Sequence, residues 1–232
     1  MNVFAISDLH LSFDKEKPMD IFGAIWEDHF EEIKKDWNSR VTAGDVVLLP
    51  GDFSWAMDLD GVRPDMAKFN ELNGQKIILR GNHDYWWSSY AKVKSVLPDN
   101  VLAIQNNAFR IDGVVFCGTK GYTVEEKGKP YSDEDKKLFE RELIRLNLSI
   151  AEAKKIICPG DKVVVMFHYP PYNNKCENSA YTDAVRELGA DAVVYGHLHG
   201  KHPVYRLKLI KDGIPYYLAS CDVLKNKLIQ IF

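Results

Sequence analysis

Seven short apolar runs limit what this chain can fold into. They are NVFAIS (2–7), VVLL (46–49), KIIL (76–79), VLAIQ (101–105), VVFC (114–117), KVVVMF (162–167) and AVVY (192–195). Each is too short for a buried helix and most are rich in β-branched residues, so they read as buried strands. Helical spacing fills the gaps. Trp26, Phe30, Ile33 and Trp37 share a face over 23–37, Val62, Met66 and Phe69 over 62–72, and Trp86, Tyr90, Val93 and Leu97 over about 86–97. Phe139, Leu143, Leu146, Ile150 and Ala153 mark a long amphipathic helix, with Ser132 as its cap and acidic residues in its first turn. SAYTDAVRELG predicts another helix, ending at Gly189. Strands alternating with helices argue an α/β fold. Some strands should be antiparallel. A DG turn splits 108–118 into a hairpin, and the tail over 203–232 reads as a three-strand meander around a second DG turn.

The chain has 232 residues, which suits one domain spanning 1–232. Its net charge of −3 does not mark a general binder of nucleic acid or anionic membrane, although it leaves room for a small local basic patch. No apolar run approaches transmembrane length. The first residues, MNVFAISDLH, have no leader pattern and read directly as a core strand. Four scattered cysteines, at 117, 158, 176 and 221, form no CxxC pair. The expectation is reduced, mostly buried thiols in a cytoplasmic protein.

Several of the strands end in groups that bind metals. The first runs into Asp8-Leu9-His10, the second into Gly51-Asp52 and the third into Asn82-His83-Asp84. Later ones run into His168 and into Gly196-His197-Leu198-His199. Five of the seven histidines occupy these positions, a concentration that loop polarity and helix capping do not produce. In open α/β sheets the carboxyl ends of parallel strands share one edge, where sites form. In an extended segment residues two apart point the same way, so Asp8 and His10 could aim at one place, as could His197 and His199. Adjacent Asn82 and His83 should do different jobs. Carboxylate, imidazole and amide oxygen without thiolate suit Mn, Fe, Zn or Co. Seven candidates exceed one tetrahedral ion and fit two ions sharing a carboxylate.

In order and in type, Asp8-x-His10, Gly51-Asp52, Gly81-Asn82-His83-Asp84, His168 and Gly196-His197-x-His199 resemble the five-block signature of the calcineurin-like metallophosphoesterase superfamily. PGDFSWAM and RGNHDYWW resemble a bacterial branch of predicted phosphohydrolases. The resemblance implies a four-layer α/β/β/α sandwich of two mixed sheets flanked by helices. It also implies a site: Asp8, His10 and His199 on one metal, Asn82, His168 and His197 on the other, and Asp52 bridging both. His83 would face the substrate, with Asp84 orienting its imidazole.

The implied reaction is hydrolysis of a phosphate ester, mono- or small diester, by a hydroxide bridging two divalent ions, with manganese the first expectation for the metal. Two such ions acidify water and clamp phosphate oxygens. A cyclic-nucleotide or nucleotide phosphodiesterase is the nearest alternative, and a protein-binding scaffold on the same fold is one of another class. The expected partner is a small phosphoester, without nucleic acid or membrane; oligomeric state is left open. Among the neighbours, Trp55 reads as a pocket wall, whereas Trp86 and Trp87 read as core more readily than as a stacking surface. Tyr169, Tyr172, Lys201 and His202 lie beside the motifs. Gly44-Asp45 precedes a strand and reads as a turn, and His29 as a packing or surface residue.

Overall fold

The computed structural model describes residues 1–14, 17, 19–200 and 206–232. The early runs become β1 (Val3–Ala5), β2 (Val46–Leu49), β3 (Gln75–Leu79) and β4 (Val101–Ile104), all parallel. Helices α1 (His29–Arg40), α2 (Arg63–Asn70) and α3 (Tyr90–Lys94) fall between them. A second sheet is built from β5 (Phe109–Ile111), β6 (Val114–Thr119), β7 (Lys162–Phe167), β8 (Ala192–Tyr195), β9 (Lys208–Lys211) and β10 (Ile214–Leu218). Its four central strands, β6, β7, β8 and β10, are parallel, and β5 and β9 run antiparallel at the edges. Helices α4 (Asp133–Ile156) and α5 (Ala180–Leu188) belong to this half.

Period-two alternation sorts the side chains into layers. Val3, Ala5, Val46, Leu48 and Ile77 meet Phe116, Val164, Met166 and Val194 between the two sheets. The residues between them turn outward. Phe4, Ile6, Val47, Leu49 and Ile78 pack under Phe30, Ile33 and Trp37 of α1 and Phe69 of α2. On the far side Val163, Val165, Phe167 and Val193 pack under Leu146 and Ile150 of α4 and Tyr181 of α5. Burying one such side chain stabilises by about 2 kcal/mol. The result is the expected four-layer sandwich.

Local signals behave as their chemistry requires. Ser132 and Asp135 form a capping box at the start of α4, and Gly189 closes α5 at φ 74°. Asp112-Gly113 and Asp212-Gly213 adopt positive φ and turn the β5–β6 and β9–β10 hairpins.

Three expectations need correction. The helix over 23–37 begins only at His29, because Asp28 takes a left-handed φ of 46° and breaks it from a short 3-10 turn at Ala24–Trp26. The helix over 86–97 is confined to α3; Trp86 lies in the preceding turn, where its indole donates to Asp84 at 3.0 Å. The tail is not a three-strand meander. Its last strand, β11 (Ile229–Gln230), leaves the β9–β10 hairpin and pairs antiparallel with β1 in the first sheet. Residues 203–205 of that tail lie outside the described residues.

Candidate functional site

The turns that follow β1 and β2 run side by side. Asp8 N–H donates to the Gly51 carbonyl and His10 N–H to that of Asp52, both at 3.1 Å, and Leu11 N–H to that of Phe53 at 2.9 Å. To do this Asp8, His10 and Asp52 adopt φ of 60°, 47° and 51°, and His197 after β8 adopts 71°. Left-handed φ costs a non-glycine residue on the order of 1 kcal/mol or more, and such strain gathers where a site over-determines the backbone. It also revises the reasoning from extended chain. Asp8 and His10 do converge, but through turns. His197 and His199 part company: one joins Asn82 and His168, the other Asp8 and His10.

Glycines make the approach possible. A Cβ on Gly81 would collide with the carboxylate and backbone nitrogen of Asp52, and one on Gly196 with the Ser7 hydroxyl and, at 2.5 Å, with Asp8 Oδ2. The glycines of the GN and GH blocks are thus the points where one ligand-bearing turn touches the next.

Among the described residues two groups of ligand atoms result, Asp8 with His10 and His199, and Asp8 with Asp52 and His168, the atoms of each lying within 4.8 Å of one another. Asn82 and His197 extend the second. His168 Nε2 is 2.7 Å and His197 Nδ1 2.9 Å from Asn82 Oδ1, and the two ring nitrogens are 3.3 Å apart. Asp52 Oδ2 is 3.5 Å from His168 Nε2 and 3.7 Å from His10 Nε2.

Protons satisfy this arrangement only in part. His168 Nδ1–H donates to the Pro50 carbonyl at 3.0 Å, which leaves Nε2 a lone pair aimed at an amide oxygen. Burial lowers the His168 and His10 imidazoles to about 3 and that of His197 to about 4, so all three are neutral at pH 7. Asp52 Oδ2 and His10 Nδ1 are buried without a partner among the described residues. Burial, then the charges of Asp8 and Asp84, push the Asp52 carboxyl up to about 9. Three neutral imidazoles, an amide oxygen and buried carboxyls converging on one place are ligands that suit a divalent cation, and a cation would reverse the electrostatic sign at Asp52. The donor set therefore fits two metals.

Asp8 is placed differently. Burial raises its carboxyl, but the hydrogen bond and charge of His199, with the other imidazoles, more than offset this and hold it well below the usual range. It accepts from Ser7 Oγ at 2.5 Å and from His197 N–H at 3.1 Å. His199 Nδ1 in turn donates to Asp222 Oδ1 at 3.1 Å, and Asp222 Oδ2 accepts from Gly200 N–H at 2.7 Å. Against the cost of burial, these carboxylates lift His199 to about 10. Asp222 is not among the residues expected from the motifs. It lies just beyond β10, so it obeys the strand-end rule that picks out the others.

Among the described residues Asp84 makes no hydrogen bond to the His83 imidazole that it is expected to orient. Its buried carboxylate accepts from Gly81 N–H at 2.7 Å, Phe53 N–H and Trp86 Nε1–H at 3.0 Å and Ser54 N–H at 3.2 Å. It ties the turn after β2 to the turn after β3. His83 is half-buried, its N–H donates to Asp52 Oδ1 at 2.8 Å, and its ring Nδ1 has no partner among the described residues.

Trp55 stacks on His10 at 4.8 Å and lies 4.6 Å from the His83 ring. Trp86 and Trp87 are core, 1% and 4% exposed. The Tyr169 ring lies 4.0 Å from that of His197, while the Tyr172 hydroxyl is taken by Tyr195 at 2.5 Å. His29 pins the start of α1 to the Trp26 and Leu9 carbonyls at 3.1 and 2.8 Å. Asp45 in the Gly44-Asp45 turn accepts from Asn2 and Thr42. Lys201 and His202 lie outside the described residues.

The sequence model of the calcineurin-like phosphoesterase family matches residues 1–201. Among curated proteins none matches the sequence at a significant level. A phosphopantetheinyl hydrolase from Mycobacterium tuberculosis is similar in structure at 14% identity and a TM-score of 0.58, covering 100% of this chain and 95% of that one. A Thermus thermophilus protein, TT1561, is similar at 14% identity and a TM-score of 0.59, covering 99% and 97%. At these identities the likeness shows the fold.

Proposed function

The chain belongs to the calcineurin-like phosphoesterase family, a family of metal-dependent phosphoester hydrolases, and from that premise we propose a dinuclear enzyme acting on a small phosphomonoester or phosphodiester. The supporting observation is the convergence of His168 Nε2, His197 Nδ1, Asn82 Oδ1 and Asp52 Oδ2 on one place. Asp8, His10 and His199 would hold one ion, Asn82, His168 and His197 the other, with Asp52 between. Bound there, two divalent ions would supply Lewis acidity toward phosphate oxygens and a nucleophile at neutral pH. Nitrogen and oxygen ligands without thiolate suit Mn, Fe, Zn or Co, and manganese is the ion proposed for activity in vitro. We place it in the cytoplasm as one catalytic domain over 1–232. The core shared by both sheets supports one unit. Four unpaired cysteines, two of them buried, support a reducing compartment. Among the described residues no helix is long and apolar enough to cross a membrane.

The remaining residues divide the work. Asn82 brings a neutral oxygen, so the centre keeps positive charge for an anionic substrate. Asp222 holds the His199 ring through Nδ1, leaving Nε2 directed at Asp8. The half-buried His83 ring, beside Trp55 and His10, is the group available to a phosphoryl or leaving-group oxygen. Burial, then the charge of His199, lowers its pKa, so it acts chiefly as a neutral hydrogen-bond donor.

The test is hydrolysis of p-nitrophenyl phosphate against bis-p-nitrophenyl phosphate by the Mn²⁺-loaded protein, before and after chelation. Activity that chelation removes, restored by metal, supports the reading, and the preferred ester decides the class. His83→Ala should lower kcat by about 10²–10³-fold with metal content unchanged. A variant that also loses metal would show His83 to be a ligand instead.

A further inference from the structure

Next to the metal ligands, at the carboxyl ends of β3, β4 and β6, lies a second cavity of about 190 Å³. It holds Arg80, Lys120 and Arg145 around one buried carboxylate, Glu142. Glu142 accepts from Thr119 Oγ at 2.8 Å and from Arg145 at 2.6 Å, with Arg141 at 3.4 Å. It cannot neutralise four cations. Arg80 and Lys120 have no ion pair and no side-chain hydrogen bond among the described residues, although Lys120 is only half exposed. Burial depresses the Lys120 ammonium, and Glu142 opposes this while Arg80, Arg141 and Arg145 add to it.

Cations crowded around too little negative charge are poorly placed unless an anion joins them. Both unpaired cations are fixed to the metal centre. Arg80 directly precedes Gly81-Asn82. The Lys120 carbonyl accepts from His168 N–H at 3.1 Å and Tyr169 N–H at 2.9 Å. Its ammonium lies 5.5 Å from the centre of the Tyr169 ring, which itself lies against His197. The two places share β3 and are otherwise on neighbouring strands, so their separation is on the order of 5–10 Å.

We propose that this cavity is a second anion subsite of the same active site, and that the substrate is a small molecule carrying another phosphate besides the one hydrolysed. This rests on the phosphoesterase reading above. Glu142 then serves as a positioning residue, holding the Arg145 guanidinium at the rim.

Matched substrates test it: adenosine 3′,5′-bisphosphate against adenosine 5′-monophosphate, and fructose 1,6-bisphosphate against fructose 6-phosphate, with the Mn²⁺-loaded protein. At least one pair should favour the bisphosphate by about tenfold or more in kcat/KM. Arg80→Ala, at an exposed position, and Lys120→Gln should each bring that ratio close to one, mainly through KM. Ratios near one for both pairs in the wild type, or ratios unmoved by both variants, would overturn the subsite. If neither member of any pair is hydrolysed and both p-nitrophenyl esters are inert as well, the phosphoesterase reading has failed; if the pairs alone are inert it stands, and in both cases calorimetry on the metal-free protein decides the cavity separately. Binding of adenosine 3′,5′-bisphosphate about tenfold tighter than the monophosphate, and lost in Arg80→Ala, would support it. Equal binding of the two, or inorganic phosphate binding as tightly as the bisphosphate, would overturn it.

Discussion

Asp52→Asn is expected to cut turnover of p-nitrophenyl phosphate by about a thousandfold or more and to leave the protein with about one bound metal in place of two. The reason is local. Asp52 Oδ1 is held by the His83 N–H, so an asparagine would keep its oxygen there and put its NH₂ where Oδ2 now stands. That NH₂ would face the lone pair of His168 Nε2 at about 3.5 Å, with His10 Nε2 at 3.7 Å, and would donate to His168. A proton donor then occupies the place proposed for the shared cation. The same substitution removes a buried carboxyl raised to about 9, so the metal-free variant should melt no lower than the wild type. Metal analysis, kcat and a thermal melt together check the point. Full activity with two metals bound would remove Asp52 from the bridging position, and lost activity in an unfolded variant would show only that the site had collapsed.

Much of this site is legible in the chain because sheet layering is written in single residues. Val3 and Ala5 alternate with Phe4 and Ile6, and that alternation alone assigns each to the inner or outer core. Parallel strands then carry their ends to one edge, so Asp8, Asp52, Asn82, His168 and His197 gather without any long-range information. Less legible is what depends on partners distant in sequence. Trp86 matches a helical face by spacing, yet Asp84 and the Phe53 contact hold it in a turn. Ile229 and Gln230 look like the third strand of a meander, and nothing local says that β1 offers a free edge. Asp222 sits in no motif, and its role appears only once β10 lies beside β8, which brings it to His199. The unpaired cations at 80 and 120 are similarly invisible, since a net charge of −3 averages them away.

Asp84→Ala is expected to destabilise the protein by about 4 kcal/mol or more. Four buried donors, from Gly81, Phe53, Ser54 and Trp86, would lose their acceptor, and each unsatisfied group costs about 1–3 kcal/mol, less than additively where the turns relax. Against a total of about 5–15 kcal/mol this is a large fraction. Two consequences follow from the place of the loss. Gly81 and Phe53 adjoin Asn82 and Asp52, so loosening their turns should weaken metal binding before it unfolds the sheets. Asp84→Asn should behave similarly but less severely, because one oxygen survives while an NH₂ group meets donors. Urea denaturation with and without Mn²⁺ measures both. The sequence motif suggests a different role, orienting the His83 imidazole, and that role makes a different prediction: unchanged stability and metal content, with a lower kcat and a shifted pH profile. Such a result would return Asp84 to the catalytic histidine, whereas a fall in stability and metal affinity together would establish it as the tie between the two ligand-bearing turns.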